Sequence, residues 1–340
     1  MLQRGETVGV FQLESMGMRK ALIGMKADQF EDIIALVALY RPGPMENIPL
    51  YNARKHGEEE PDYYHPKIEH VLQETQGVII YQEQLMQIAQ ILSGYSLGEA
   101  DMLRRAMGKK IREEMEVQRA RFVDGCLKND IDAKQANYIF DVLAKFADYG
   151  FNKSHAAAYA LLSDQTAWLK ANHPVEFLAS LMTLDMGNTD KLSDFYREAM
   201  RAKIEIVAPS VNSSQVKFSV KDGKIHYALA AIKGVGAQAV AHIVEVRERD
   251  GPFESLTSFF SRIDPKQLNR KMLENLIHAG AFDGFGPARE ELIGGLDRLI
   301  GHSVRVAENQ AIGMTDLFGG DTGETDVVLP KVPAWTAAER

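Results

Sequence analysis

The sequence holds one cysteine, Cys126, in 340 residues. An intramolecular disulfide is therefore excluded, and the chain fits a reducing compartment. Cys126 falls in a helical stretch and reads as a small buried apolar residue rather than a nucleophile. Long apolar runs are missing too. The longest, Ile33 to Tyr40, is much too short to cross a bilayer. The opening Met1-Leu-Gln-Arg-Gly-Glu6 has no secretory apolar core, so a cytoplasmic protein is expected. Positive charge is not in excess either: 47 Asp and Glu stand against 39 Lys and Arg, a net of −8. That excludes a uniformly basic nucleic-acid coat and leaves local basic surfaces open.

Familiar catalytic signatures are also absent. The nine histidines show no His-Glu-x-x-His and no zinc spacing with cysteine. There is no Gly-x-Ser-x-Gly and no phosphate-loop pattern. The one Asp-x-Asp, Asp130-Ile-Asp132, sits in polar surroundings with no strand pattern. Two-metal chemistry needs converging carboxylates, whereas Asp132 followed by Gln135 reads as a helix capping box. No metal ligands are expected in this chain.

What is present is mostly helical periodicity. Phe30 to Leu39 is a strong helical pattern, stopped by Arg41-Pro-Gly-Pro44. Residues 45–76 read as polar and loop-rich, with Glu58-Glu-Glu-Pro-Asp62 a solvated surface run. Val78-Ile-Ile-Tyr81 reads as a short buried strand or helix entry. Helical patterns fill 98–187, broken at Asn129–Asp132, Asp148-Tyr-Gly150 and His173-Pro174. Lys217 to Ala228 then predicts a β-hairpin turning at Asp222-Gly223. The stretch from Met314, rich in glycine and acid, has the composition of a mobile linker.

Two segments carry most of the chemical signal. Ala100-Asp-Met-Leu-Arg-Arg-Ala-Met-Gly-Lys-Lys110 places Arg104, Arg105, Lys109 and Lys110 on one helical stretch, with Asp101 the one acid. Arginine forks grip phosphate oxygens in pairs, and lysine adds a point charge. A solvated helix face is the competing reading. The second segment, Tyr149-Gly-Phe-Asn-Lys-Ser-His155, packs aromatics, an amide, a cation and an imidazole around a glycine. Such groups stack on bases and reach sugar and phosphate. Ser154 suits the N-cap of the helix that follows; a capped helix entry with incidental aromatics is the competing reading. A third, weaker signal is Ile232-Lys-Gly-Val-Gly236. Its glycines allow a tight turn and expose amides that can hold a backbone phosphate without reading sequence. A second candidate hairpin includes Arg270 and Lys271. Residues 224–289 hold nine Lys and Arg against seven Asp and Glu, mildly basic inside an acidic chain.

Together these residues resemble the alpha subunits of bacterial replicative DNA polymerase III, polymerase family C. The resemblance runs through Gly9-Val-Phe-Gln-Leu-Glu-Ser15, Ala35 to Pro44, Arg54-Lys-His-Gly57, Tyr81-Gln-Glu-Gln84, Ala100–Lys110, Tyr149–His155, Ile232–Gly236 and Ala279-Gly-Ala-Phe-Asp283. It extends to Asp316-Leu-Phe-Gly319 and Pro333-Ala-Trp335. The implied fold is mainly α: a helical fingers domain over 1–205, then a small β-hairpin and tandem helix-hairpin-helix region over 206–300, then a flexible acidic tail over 301–340. The resemblance implies that Arg104 and Arg105 hold the triphosphate of an incoming deoxynucleotide, with Lys109 and Lys110 nearby. Tyr149, Asn152, Lys153 and His155 would line the nascent base-pair pocket. Lys233, Gly234, Val235 and Gly236, with Arg270 and Lys271, would grip the primer-template duplex. It further implies that the palm with its catalytic aspartates and Mg2+, and the sliding-clamp motif, belong to other parts of a longer polypeptide. The expected partners are primer-template DNA, deoxynucleoside triphosphates, the sliding clamp and the proofreading subunit. This chain alone is expected not to polymerise. The alternative is a stand-alone, sequence-independent DNA-binding module of the helix-hairpin-helix type.

Overall fold

Asp32 shows how the N-terminal region is tied together. It is fully buried, yet accepts from the amides of Asp28 at 3.0 Å and Gln29 at 3.3 Å and from the Tyr51 hydroxyl at 3.1 Å. Lys55 reaches the same carboxylate at 2.9 Å. A buried charge is tolerated when it is paired and hydrogen-bonded in this way. The computed structural model describes residues 1–109, 112–147, 149–311 and 327–336. Lys110 and the acidic stretch 312–326, including Asp316-Leu-Phe-Gly319, lie outside the described residues.

The chain forms two separately compact units, Met1–Asn172 and His173–Arg340. The first contains α1 (Met16–Met25), α2 (Phe30–Leu39), α3 (Ile48–Lys55), α4 (Glu69–Leu72), α5 (Gln82–Ser93), α6 (Leu97–Lys109), α7 (Arg112–Lys128), α8 (Ala133–Ala147) and α9 (Lys153–Asn172). Two hydrophobic cores fill it. One joins α1, α2 and α3 to α9 through Leu22, Leu36, Tyr51 and Ala160. The other fills the bundle of α5 to α8 through Leu85, Leu103, Phe122 and Phe140. Between them runs the extended segment 78–81. Val78 and Ile80 face the first core while Ile79 faces the second, the alternation that strand geometry imposes.

Residues 45–76 contain more helix than expected. Pro49 sits in the first turn of α3, where its missing N–H costs nothing, and the ties of Tyr51 and Lys55 to Asp32 hold the helix down. Asp132 caps α8 as expected, accepting from the amides of Lys134 at 2.9 Å and Gln135 at 3.0 Å. The Gln135 side chain turns instead to the Tyr64 carbonyl, so the box is only half made. Cys126 has no exposure, and burial pushes its thiol up to about 11, which fits its reading as a core residue.

The second unit begins with α10 (Pro174–Leu184) and α11 (Thr189–Arg201). A small sheet follows, β1 (Ile206–Val207), β2 (Ser219–Lys221) and β3 (Lys224–His226), in the order β1-β3-β2. The predicted hairpin is β2–β3, closing with Lys221 opposite Lys224. Asp222 and Gly223 take φ of 53° and 72°, the left-handed pair that a two-residue hairpin turn needs. β1 adds parallel to β3. Then come α12 (Ala237–Asp250), α13 (Leu256–Arg262), α14 (Arg270–His278) and α15 (Arg289–Ala311). Phe253, Phe259, Phe260 and Phe282 pack edge-on or stacked at the centre of their core. Residues 327–336 lie against this unit. Val327 and Leu329 join the core, and the Trp335 ring stacks on His278 at 5.0 Å.

Candidate functional site

The two segments singled out in the sequence meet at the start of α5. Phe151 pairs with Tyr81 as a short parallel bridge. Its amide donates to the Ile80 carbonyl at 3.0 Å, and its carbonyl accepts from the Gln82 amide at 2.9 Å. Glu83 then receives the Asn152 side chain and the Lys153 amide, both at 3.0 Å. From the other side, Arg104 on α6 donates to the Gln82 side chain at 3.3 Å. Residues from 81, 104 and 150 are thus gathered at one place, although the sequence separates them widely.

Three cations of this cluster, Arg104, Arg105 and Lys153, are met by an acid. Asp101 takes both arginines, Arg104 at 2.7 Å and Arg105 at 2.9 Å, one helical turn away. Arg104 is 26% exposed at its side chain and Arg105 66%. The hydrogen bond from Arg104 comes first among the influences that hold the Asp101 carboxyl below its usual range. Lys109 is exposed, and with Arg105, Glu113 and Glu114 it lines a cleft of about 500 Å³ between α6 and α7. Lys153 pairs with Glu74 at 2.6 Å and stands 5.5 Å from the centre of the Tyr81 ring.

The capping residue of α9 is Asn152 rather than Ser154. Its side-chain oxygen accepts the His155 amide at 2.7 Å, and α9 already begins at Lys153. Ser154 lies one residue inside the helix. His155 contributes to a ladder of rings: it lies 5.4 Å from Phe151 and 4.6 Å from Tyr159, and Tyr159 stacks on Phe11 at 5.9 Å. Arg41, from the Arg41-Pro-Gly-Pro44 turn, caps the ladder with its guanidinium 4.4 Å over Phe151 and donates to the Tyr149 carbonyl at 2.6 Å. The half-exposed Tyr149 ring rests on Gly43, whose φ is 96°; a Cβ there would come within 2.4 Å of the ring.

In the second unit the hairpin residues form an open helix start. Gly236 is the N-cap of α12 with no side chain bonded across it, and Gly236, Ala237 and Gln238 are exposed. The first amides of α12 therefore face outward, which is the geometry that receives an anion. Val235 is buried and anchors the turn to the core. Gly234 has φ of 78°, and Asn275 from α14 donates to the Lys233 carbonyl at 2.9 Å. The stretch before the turn is a single 3-10 turn, Leu229–Ala231, in place of a full helix. In the second candidate hairpin, Asn269 caps α14 through the Met272 amide, and Arg270 is tied to Glu274 and Asp297. Lys233 and Lys271 are exposed, and among the described residues neither has an ion pair.

Arg41, Gln82 and Glu83 were not singled out by charge or spacing. Their one sequence signal was membership of the longer stretches Ala35–Pro44 and Tyr81–Gln84. Among the described residues, no group of three or more acids, histidines or cysteines is placed to hold a metal ion, and Asp132 is committed to its helix. No helix of the described residues is long and apolar enough to cross a membrane.

The family model for the bacterial DNA polymerase III alpha subunit finger domain matches residues 1–130, and that for the helix-hairpin-helix motif matches residues 203–292. DNA polymerase III subunit alpha of Caulobacter vibrioides is 51% identical over 339 residues, which cover 100% of this chain and 30% of that protein. The Escherichia coli K12 subunit is 50% identical over 327 residues, 94% of this chain and 28% of that protein. The Pseudomonas aeruginosa subunit is 48% identical over 349 residues, 96% of this chain and 30% of that protein. The chain thus spans about 30% of the length of these curated relatives. Matched along its whole length, with finger and helix-hairpin-helix portions both in place, the chain is similar throughout to one portion of the DNA polymerase III alpha subunits.

Proposed function

We propose that this chain is the part of a DNA-directed DNA polymerase that holds the incoming deoxynucleoside triphosphate and the primer-template duplex. One observation carries the reading: the Tyr81–Gln84 segment ties Arg104 to the 149–155 element. A phosphate-gripping pair and a base-facing surface thereby share one framework. Arg104 and Arg105 take the triphosphate oxygens by leaving Asp101, with Lys109 and Lys110 adding charge. Tyr149, Asn152, Lys153 and His155 face the nascent base pair. The outward amides of α12, with Lys233 and Lys271, hold duplex phosphates without reading sequence. This division of labour supplies positioning and electrostatic stabilisation. The Mg2+ ions and the palm carboxylates that hold them lie on polypeptide outside these 340 residues, as do the contacts to the sliding clamp and the proofreading subunit.

The test is steady-state nucleotide incorporation by the full-length polymerase carrying Arg104→Ala with Arg105→Ala. Charge-assisted hydrogen bonds contribute about 1.5–3 kcal/mol each, so kcat/KM for the nucleotide should fall on the order of a hundredfold or more. Unchanged KM and kcat would remove the proposed role.

A further inference from the structure

Gln82 is one side chain with two partners that belong to different ends of the proposed site. Its Oε1 accepts from Arg104 Nη1 at 3.3 Å, and its Nε2 donates to the Gly150 carbonyl at 3.0 Å. A primary amide is suited to this because it carries an acceptor and a donor on the same rigid group. Its orientation is fixed by the partners. Turning the amide over would set its NH2 against the guanidinium and its oxygen against a carbonyl, so both contacts would become repulsive.

The surroundings hold the amide in place. The Gln82 backbone amide is bonded to the Phe151 carbonyl at 2.9 Å, so the residue is held at both its main chain and its side chain. Gly150 makes room: a Cβ there would lie 3.1 Å from Gln82 Cγ. Arg104 has two acceptors, Asp101 and Gln82. Should its guanidinium turn toward a phosphate, the Gln82 oxygen loses or reorients its donor. The same rigid amide then moves against the carbonyl that leads into 151–155.

We infer that Gln82 is a positioning residue that couples occupation of the phosphate grip to the placement of the base-facing element. The inference rests on the proposed function and deepens it. Nucleotide selection would then depend on both ends at once, because a well-seated triphosphate sets Gly150 and a well-paired base in turn sets Arg104. Such coupling is reciprocal by necessity.

The experiment uses the full-length polymerase with Gln82→Leu, which removes donor and acceptor, and Gln82→Glu, which keeps the acceptor for Arg104 and loses the donor to Gly150. Single-nucleotide incorporation is measured with correct and mismatched nucleotides, alongside inhibition by inorganic tripolyphosphate and thermal stability. Gln82→Leu should lower kcat for the correct nucleotide by about tenfold, the size of one hydrogen bond to a charged partner, with much less effect on the mismatch. Discrimination should therefore fall, while the inhibition constant of tripolyphosphate stays within about threefold of wild type. Gln82→Glu should reproduce the lost discrimination even if Gln82→Leu fails to fold. Equal losses on correct and mismatched nucleotides, or unchanged discrimination in Gln82→Glu, overturn the coupling. If tripolyphosphate fails to inhibit the wild type, the phosphate-grip reading has failed first, and the coupling falls with it.

Discussion

The two candidate phosphate grips are built in opposite ways. In Met1–Asn172 the candidate grip is made of side chains, and three of its cations are already paired: Arg104 and Arg105 with Asp101, and Lys153 with Glu74. In His173–Arg340 the candidate grip is largely backbone, the open first turn of α12 framed by Gly234 and Gly236. A paired arginine is pre-positioned and must exchange one anion for another, which suits a ligand that comes and goes. Backbone amides at a helix start need no such exchange and make no sequence-specific contact, which suits a duplex that slides past. Under the proposed function, the difference would let a chain of net charge −8 bind polyanions. Few unpaired cations are needed when one site trades partners and the other uses amides.

The largest expected break of this comparison is Gly234→Val. The position has φ of 78°, and a Cβ would lie 2.5 Å from the Asn275 amide nitrogen that latches the turn. A β-branched residue there is strained by at least ~1–2 kcal/mol before any clash. Duplex affinity, measured by fluorescence anisotropy at low salt, should drop on the order of tenfold with no change in net charge. Unchanged affinity would mean that the hairpin backbone is not the grip.

Smaller and more specific is Lys233→Ala. If its ammonium meets one phosphate, the slope of log affinity against log salt should become shallower by about one, with affinity down a few-fold. An unaltered slope would leave the hairpin amides without this lysine's help.

Smallest is the acid limb of stability. The folded Asp101 carboxyl is held below its ordinary value, so its contribution is present above the unfolded value of about 4 and is lost as pH falls through the lower folded value. The melting-temperature difference between wild type and Asp101→Asn should be flat from about pH 5.5 to 8 and should shrink below about pH 4. A step near neutral pH would show that another group controls the arginine pair.

The unequal legibility of the two grips follows from the same physics. The β2–β3 hairpin was readable because Asp222-Gly223 chemistry dictates its turn, and Asp132 was readable as a cap because capping is local. The glycine-framed start of α12 was readable for the same reason. Helix α3 was hidden because its stability comes from Tyr51 and Lys55 reaching Asp32, far back in the chain. The cations of α6 were visible as a run, but the tie through Gln82 spans 22 residues to Arg104 and 68 to Gly150, and no local pattern announces it. Ser154 suits a cap by type, but the backbone decided for Asn152, since the helix begins two residues earlier than a Ser154 cap allows.

The most direct measurement is a structure of the full polymerase with primed template and a non-hydrolysable deoxynucleoside triphosphate. The account predicts phosphate oxygens within roughly 2.7–3.2 Å of the Arg104 and Arg105 guanidinium groups, with Asp101 turned away from at least one of them. Phosphates seated elsewhere, with both arginines still on Asp101, would contradict it.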